Sequence, residues 1–287
     1  MTMSGGDLTV QGAFVVGLAP GHTGSLTQTG GTITHTVSDI TVGESGTGVM
    51  RVSAGGVLAD TSTGNFFVGR NAGSNGTLYV DGTLSRTAAN ALQVGNVDAA
   101  GLGVLGGKGM ISSPAGGVLI GAAGTLTGGD LTGVGTLSLA GNLTFAPNGL
   151  LFVNFDGSGG ADRISLEGSL DLGSARLDGT WAGGPSGPAS RYWLVVNDGS
   201  DPILGTFSNV SLTSPNSILY PDAAAFATIN GQEFAVYYSG DFGTGATTGG
   251  NDLLLSAVPE PASIALLASA LGFAFTRRQR KPTLSPS

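Results

Sequence analysis

Few side chains in this sequence are of a kind that does acid–base, nucleophilic or metal chemistry, and each can be weighed where it stands. There is no Cys among the 287 residues, which excludes thiolate catalysis and any Cys-ligated zinc or iron–sulfur site. Histidine occurs only as His22 and His35. A metal ion needs three or four converging ligands, so both are expected to be solvent-facing turn residues. Asp60 and Arg86 stand 26 residues apart, with Asp81 close by in sequence. Attack on a glycosidic bond needs two or three acids converging on one face; a surface ion pair between Asp60 and Arg86 is the expected reading. Lys108 is the only lysine of the body, which leaves little to neutralise an acidic sugar. Asp156 and Asp162, in Asp156-Gly-Ser-Gly-Gly-Ala-Asp162, and Asp252, after Gly249-Gly250-Asn251, set oxygen ligands among glycines as calcium loops do. They do not recur at a fixed spacing, and Asp and Gly are ordinary turn formers. No metal and no cofactor is expected. Gly101-Leu102-Gly103-Val104-Leu105-Gly106 has the spacing of a dinucleotide-binding loop, which requires a strand before it and a helix after it. No helical period follows, and no catalytic residue is assigned.

The composition points to a scaffold. Glycine supplies 52 residues and charged residues only 10%, against about 25% charged in ordinary soluble domains. Residues 1–256 carry 18 acidic and 7 basic side chains, while four bases crowd into the last eleven residues. An acidic body lacks the footprint that grips phosphate backbones, so no nucleic-acid partner is expected.

The elements that must position these residues repeat. Val-Gly recurs at Val16-Gly17, Val42-Gly43, Val68-Gly69 and Val94-Gly95, then as Ile120-Gly121, always 26 residues on. Two positions before each Val or Ile stand Phe14, Ile40, Phe66, Leu92 and Val118. The same step aligns Leu26, Val52, Leu78 and Val104, and likewise Thr32, Leu58, Leu84 and Met110. Runs of three to five residues with apolar side chains two apart are strands. Glycines between them supply the corners. One copy cannot bury its apolar face alone, so stacked copies share a core. The fold class is all-β: a parallel β-solenoid of about 26-residue coils, each with about three short strands, over residues 1–150. Residues 151–256 hold longer strands and read as a closing β-region, either more solenoid or a small sandwich.

The chain ends on a different pattern. Pro259-Glu260-Pro261 is followed by the apolar stretch Ala262–Phe275 and by the basic cluster Arg277, Arg278, Arg280 and Lys281. Proline opens helices and bars helix in the residue before it, so a helix is expected over 262–276. Its apolar part would span roughly 21 Å at 1.5 Å per residue, short against a hydrocarbon core of about 30 Å. Arg and Lys at one end can snorkel and mark a cytoplasmic side, and a short transmembrane helix is the reading.

This ordered triple resembles the PEP-CTERM sorting signals of Gram-negative bacteria. The resemblance covers 257–287 and implies recognition of Pro259, Glu260 and Pro261 by an exosortase, a membrane protease, with the helix and its basic flank holding the precursor in the membrane. It also implies export to the cell surface or extracellular matrix, in a setting of exopolysaccharide and biofilm. The repeats are similar to the Gly-rich strand repeats of autotransporter passenger regions. Because Met1-Thr2-Met3-Ser4 shows neither a basic segment nor an apolar run, a leader upstream is expected. The functional expectation is a non-enzymatic structural or adhesive protein whose partners are the exosortase and extracellular polysaccharide or other matrix proteins. The alternatives are a secreted carbohydrate-active enzyme on the same scaffold, or a glycan-binding module with aromatics such as Phe66, Phe67 and Tyr79 in a row.

Overall fold

The computed structural model describes residues 1–96 and 101–259. They form a parallel β-solenoid of about seven coils, closed at one end by antiparallel strands. Each coil contributes one strand to each of three sheets. The first sheet has eight parallel strands, from Thr2–Met3 to Arg176–Trp181. The second starts with eight parallel strands, Asp7–Val10 to Tyr192–Asn197. The third has seven, Phe14–Val16 to Leu170–Asp171.

The third sheet carries the Val-Gly column in the register expected from sequence: Phe14, Ile40, Phe66, Leu92 and Val118 lie side by side. Gly17, Gly43, Gly69 and Gly95 turn the corner that follows with φ of 81°, 77°, 77° and 66°. Gly121 is different. It lacks positive φ, and a side chain there would meet the backbone of Gly95 and Asn96.

The other two columns require correction. Leu26 pairs with Met50 and not Val52, and Leu78 pairs with Leu105 and not Val104. In the second sheet the inward column is Ile33, Leu58, Leu84 and Ile111, so Thr32 and Met110 are displaced by one residue. A one-residue slip sends a side chain to the opposite face. Val104 is accordingly half-exposed while Leu105 is fully buried, and Met110 faces solvent. The cause lies in the corner loops. Gly17 and Thr23 are separated by five residues, but Gly43 and its counterpart Thr47 by three. Those loops have no ladder to keep, so their length drifts while the strands stay paired.

Parallel pairing runs well past residue 150. Leu150–Phe155, Arg163–Glu167 and Arg176–Trp181 are further coil strands, and Tyr192–Asn197 is the last. The second sheet then continues antiparallel through Asp252–Ala257, Gln232–Gly240, Ala225–Ile229 and Val210–Ser211. This extension is the cap. It sets Phe234 against Phe155, Trp181 and Tyr192, with ring centroids 5.0, 5.2 and 6.2 Å away. An end of apolar columns that would otherwise meet water is thereby covered.

The cap also concentrates tyrosines. Burial pushes the phenols of Tyr192, Tyr220, Tyr237 and Tyr238 up, with the Asp156 carboxylate adding to the effect at Tyr192. Tyr220 is pushed up to about 12, first by burial and then by Tyr237 and Glu233. A group whose folded pKa exceeds its unfolded value, about 10 for Tyr, stabilises the fold fully below that value. The contribution is lost as pH rises through the folded pKa. The melting temperature is expected to fall between about pH 10 and 12 in step with tyrosinate absorbance. A melting temperature that stays flat across that window would count against buried phenols in the cap.

Candidate functional site

The C-terminal signal starts from a core strand. All six residues of Asp252–Ala257 are buried. The strand lies between Tyr192–Asn197 and Gln232–Gly240, antiparallel to both. Its run Leu253-Leu254-Leu255 is apolar on consecutive residues because both faces are covered. Leu253, Leu255 and Ala257 belong to the solenoid core, while Leu254 and Val258 join Tyr220, Phe226, Ala235 and Tyr237 on the far side of the cap.

Hydrogen bonds hold the strand to its last residue. The Ala257 carbonyl accepts from Gly187 N–H at 2.7 Å and from the Tyr220 hydroxyl at 3.2 Å. Ala257 N–H donates to Ser190 Oγ at 3.0 Å. Val258 N–H donates to the Glu233 carbonyl at 2.8 Å, and Gln232 Nε2 donates to the Val258 carbonyl. Val258 is 2% exposed, and Pro259, the next residue, is half-exposed. Glu260, Pro261, the helix expected over 262–276 and the basic residues Arg277, Arg278, Arg280 and Lys281 lie outside the described residues. Among the described residues no helix is long and apolar enough to cross a membrane.

A second polar constellation sits inside the rod, and it overturns two expectations. His35, Asp60 and Arg86 stack in adjacent coils of the second sheet. Asp60 and Arg86 do pair across coils, with Arg86 Nε donating to Asp60 Oδ2 at 2.9 Å. The pair is not on the surface, since both side chains are 0% exposed. His35 is no turn residue either. It is fully buried, with Nδ1 3.0 Å from Asp60 Oδ1 and Nε2 3.0 Å from the Gly12 carbonyl. His22 is exposed in a turn, as expected. Ser62 donates from N–H and Oγ to Asp60 Oδ1, and Arg86 also donates to the carbonyls of Gly64 and Asn90. Every strong donor or acceptor of the trio thus has a partner, which a buried charge requires. His35 escaped the sequence reading because its step to Asp60 is 25 residues, one short of the constant spacing.

The three aspartates with calcium-like surroundings are occupied by their own turns. Asp156 Oδ1 accepts from Ser158 N–H, Ser158 Oγ and Gly160 N–H, which holds its carboxyl below the usual range. Asp162 is buried, and burial pushes its carboxyl up. Donors from Asn154, Thr127 and Gly135 oppose that shift. Asp252 accepts from Asn197 N–H and Phe242 N–H. Among the described residues no group of three or more His, Asp or Glu side chains is placed to hold a metal ion. Leu102–Gly106, at the centre of the GxGxxG run, is a coil strand. Phe66 is buried in the third sheet, Phe67 lies under Arg70 on that sheet's outer face, and Tyr79 stands on the first sheet, so the three form no row.

Fold and terminus together define a capped parallel β-solenoid whose last core strand runs directly into a Pro-Glu-Pro, apolar and basic tail, the build of a rod delivered by a C-terminal signal. Residues 257–281 are a PEP-CTERM protein-sorting motif. The motif implies export and processing by an exosortase, a membrane protease. Neither the curated proteins nor the solved structures gave a match to the chain.

Proposed function

We propose that this is a non-enzymatic surface or matrix protein: a stiff acidic rod, structural or adhesive, delivered as a membrane-held precursor and matured by an exosortase. The chemistry of maturation belongs to that protease, which reads Pro259, Glu260 and Pro261 while the following segment and its basic flank hold the chain in the membrane. The observation that carries this reading is the position of the sorting motif. It begins at Ala257, the last residue of a core strand, so that removing the tail beyond Pro259 leaves the cap whole. The absence of a catalytic role is supported by the state of the buried carboxylates, since Asp60, Asp162 and Asp252 are each engaged by hydrogen-bond donors around them.

The test is the intact mass of the protein from producing cells, with membrane and extracellular fractions kept apart. The expected mature chain ends at or beyond Pro259, because Ala257 and Val258 are locked into the cap. Glu260→Ala is expected to leave the body folded and to accumulate the unprocessed precursor in the membrane. Normal maturation of that variant, or a mature chain retaining Arg277–Ser287, would overturn the reading.

A further inference from the structure

Where the last coil meets the cap, a cleft of about 240 Å³ opens beside strands Arg163–Glu167 and Tyr192–Asn197. Thr136, Gly159, Gly160, Arg163, Arg191 and Trp193 line it. Its two arginines differ from most others in the body. Arg51, Arg70 and Arg86 each pair with carboxylates, whereas among the described residues neither Arg163 nor Arg191 has a carboxylate within ion-pair distance. Arg163 lies over the Phe242 ring at 5.5 Å. Arg191 is fixed by neutral acceptors: Nη1 donates to the carbonyls of Pro188 and Ser190 at 2.6 and 2.9 Å, and Nε to that of Gly245 at 3.3 Å. The nearby carboxylate of Asp156 is turned onto Ser158 and Gly160 of its own loop. Two uncompensated guanidiniums therefore face one cleft in a body with 18 acidic and 7 basic residues up to position 256.

The rest of the lining sets the shape of an anionic ligand. Trp193 stands edge-on to Phe242 at 5.4 Å and offers an apolar wall. Opposite it the lining is polar: the Thr136 hydroxyl and the backbone of the Gly159-Gly160 turn. Guanidinium groups read carboxylates through paired N–H donors, aromatic walls take the C–H face of a ring, and backbone polar groups take hydroxyls. The volume lies below the roughly 300–1,000 Å³ of drug-sized sites and suits one sugar ring.

We propose that this cleft binds a carboxylate-bearing sugar residue of a polysaccharide, with the carboxylate between Arg163 and Arg191 and the ring against Trp193. The proposal deepens the adhesive half of the proposed function and does not depend on sorting. The acidic body repels polyanions at long range, so binding of one reports a local site.

The experiment is calorimetric titration of the full chain with trigalacturonate and, separately, with neutral galactotriose. Trigalacturonate is expected to bind at least tenfold tighter. Arg163→Gln, which removes a guanidinium that makes no hydrogen bond in the fold, is expected to lose at least tenfold of that affinity with its melting temperature unchanged. Arg163→Lys should retain part of it. Equal affinity for the two sugars, no binding of trigalacturonate, or unchanged affinity in Arg163→Gln would each overturn the proposal. Tight binding of galactotriose alone would leave the adhesive reading standing while this one falls, and maturation is read separately by mass.

Discussion

Arg86→Met is expected to lower the stability of the body by about 3–5 kcal/mol, the range for removing one partner of a buried ion pair. The substitution preserves volume and apolar contact, so the loss is electrostatic. Asp60, fully buried, keeps His35 and Ser62 but loses the guanidinium that faces its Oδ2. The carbonyls of Gly64 and Asn90 lose their donor as well. The denaturant midpoint of the purified body measures this directly. A companion variant separates cause from bulk: His35→Leu, Asp60→Leu and Arg86→Met together leave no buried charge, and are expected to be more stable than Arg86→Met alone. A single variant within about 1 kcal/mol of wild type, the scale of a surface pair, would show that the trio contributes little.

The second large effect is expected at a corner. Gly43 has φ of 77°, and a Cβ there would stand 2.7 Å from Asn75 C, Asn75 O and Gly76 N of the next coil. Gly73 has nearly the same φ, 79°, with nothing within 4 Å of the added atom. The two positions share the conformational cost of a side chain at positive φ, about 1–2 kcal/mol, and differ in crowding. Gly73→Ala should show that cost alone. Gly43→Ala should add about 1–3 kcal/mol, because overpacking backbone against backbone leaves no side chain free to move aside. Paired thermal melts would test the comparison, and equal losses would mean that the coils can spread at this corner.

The third sheet was legible in the sequence for a specific reason. Its strands are three residues long and each ends on a glycine that the corner requires, so Phe66 and Val68 recur in constant register with Ile40 and Val42. The same spacing misplaced Val52 and Val104, because loops between sheets vary in length without breaking the ladder. The burial of Asp60 and Arg86 was not legible. A charged pair in a sequence looks the same on either side of a strand, and only the correct register turns it inward. The cap had no repeat to betray it, since Gln232–Gly240 and Asp252–Ala257 pair antiparallel across a long loop. The sorting motif, by contrast, was complete in the sequence, since it is read as a peptide. The cleft joins Arg163 and Arg191, residues that share no motif and meet only because neighbouring coils bring them together.

The placement of Asp252–Ala257 between two neighbours has a mechanical consequence. While the C-terminal segment is still held in the membrane, drag on the rod enters the fold at Val258. An edge strand can be peeled away one rung at a time. A strand bonded on both sides and pulled along its own length must shear many rungs together, which requires far more force. The attachment point is thus among the last parts of the cap to yield, and tension passes into the solenoid rather than stripping off the end that carries the signal.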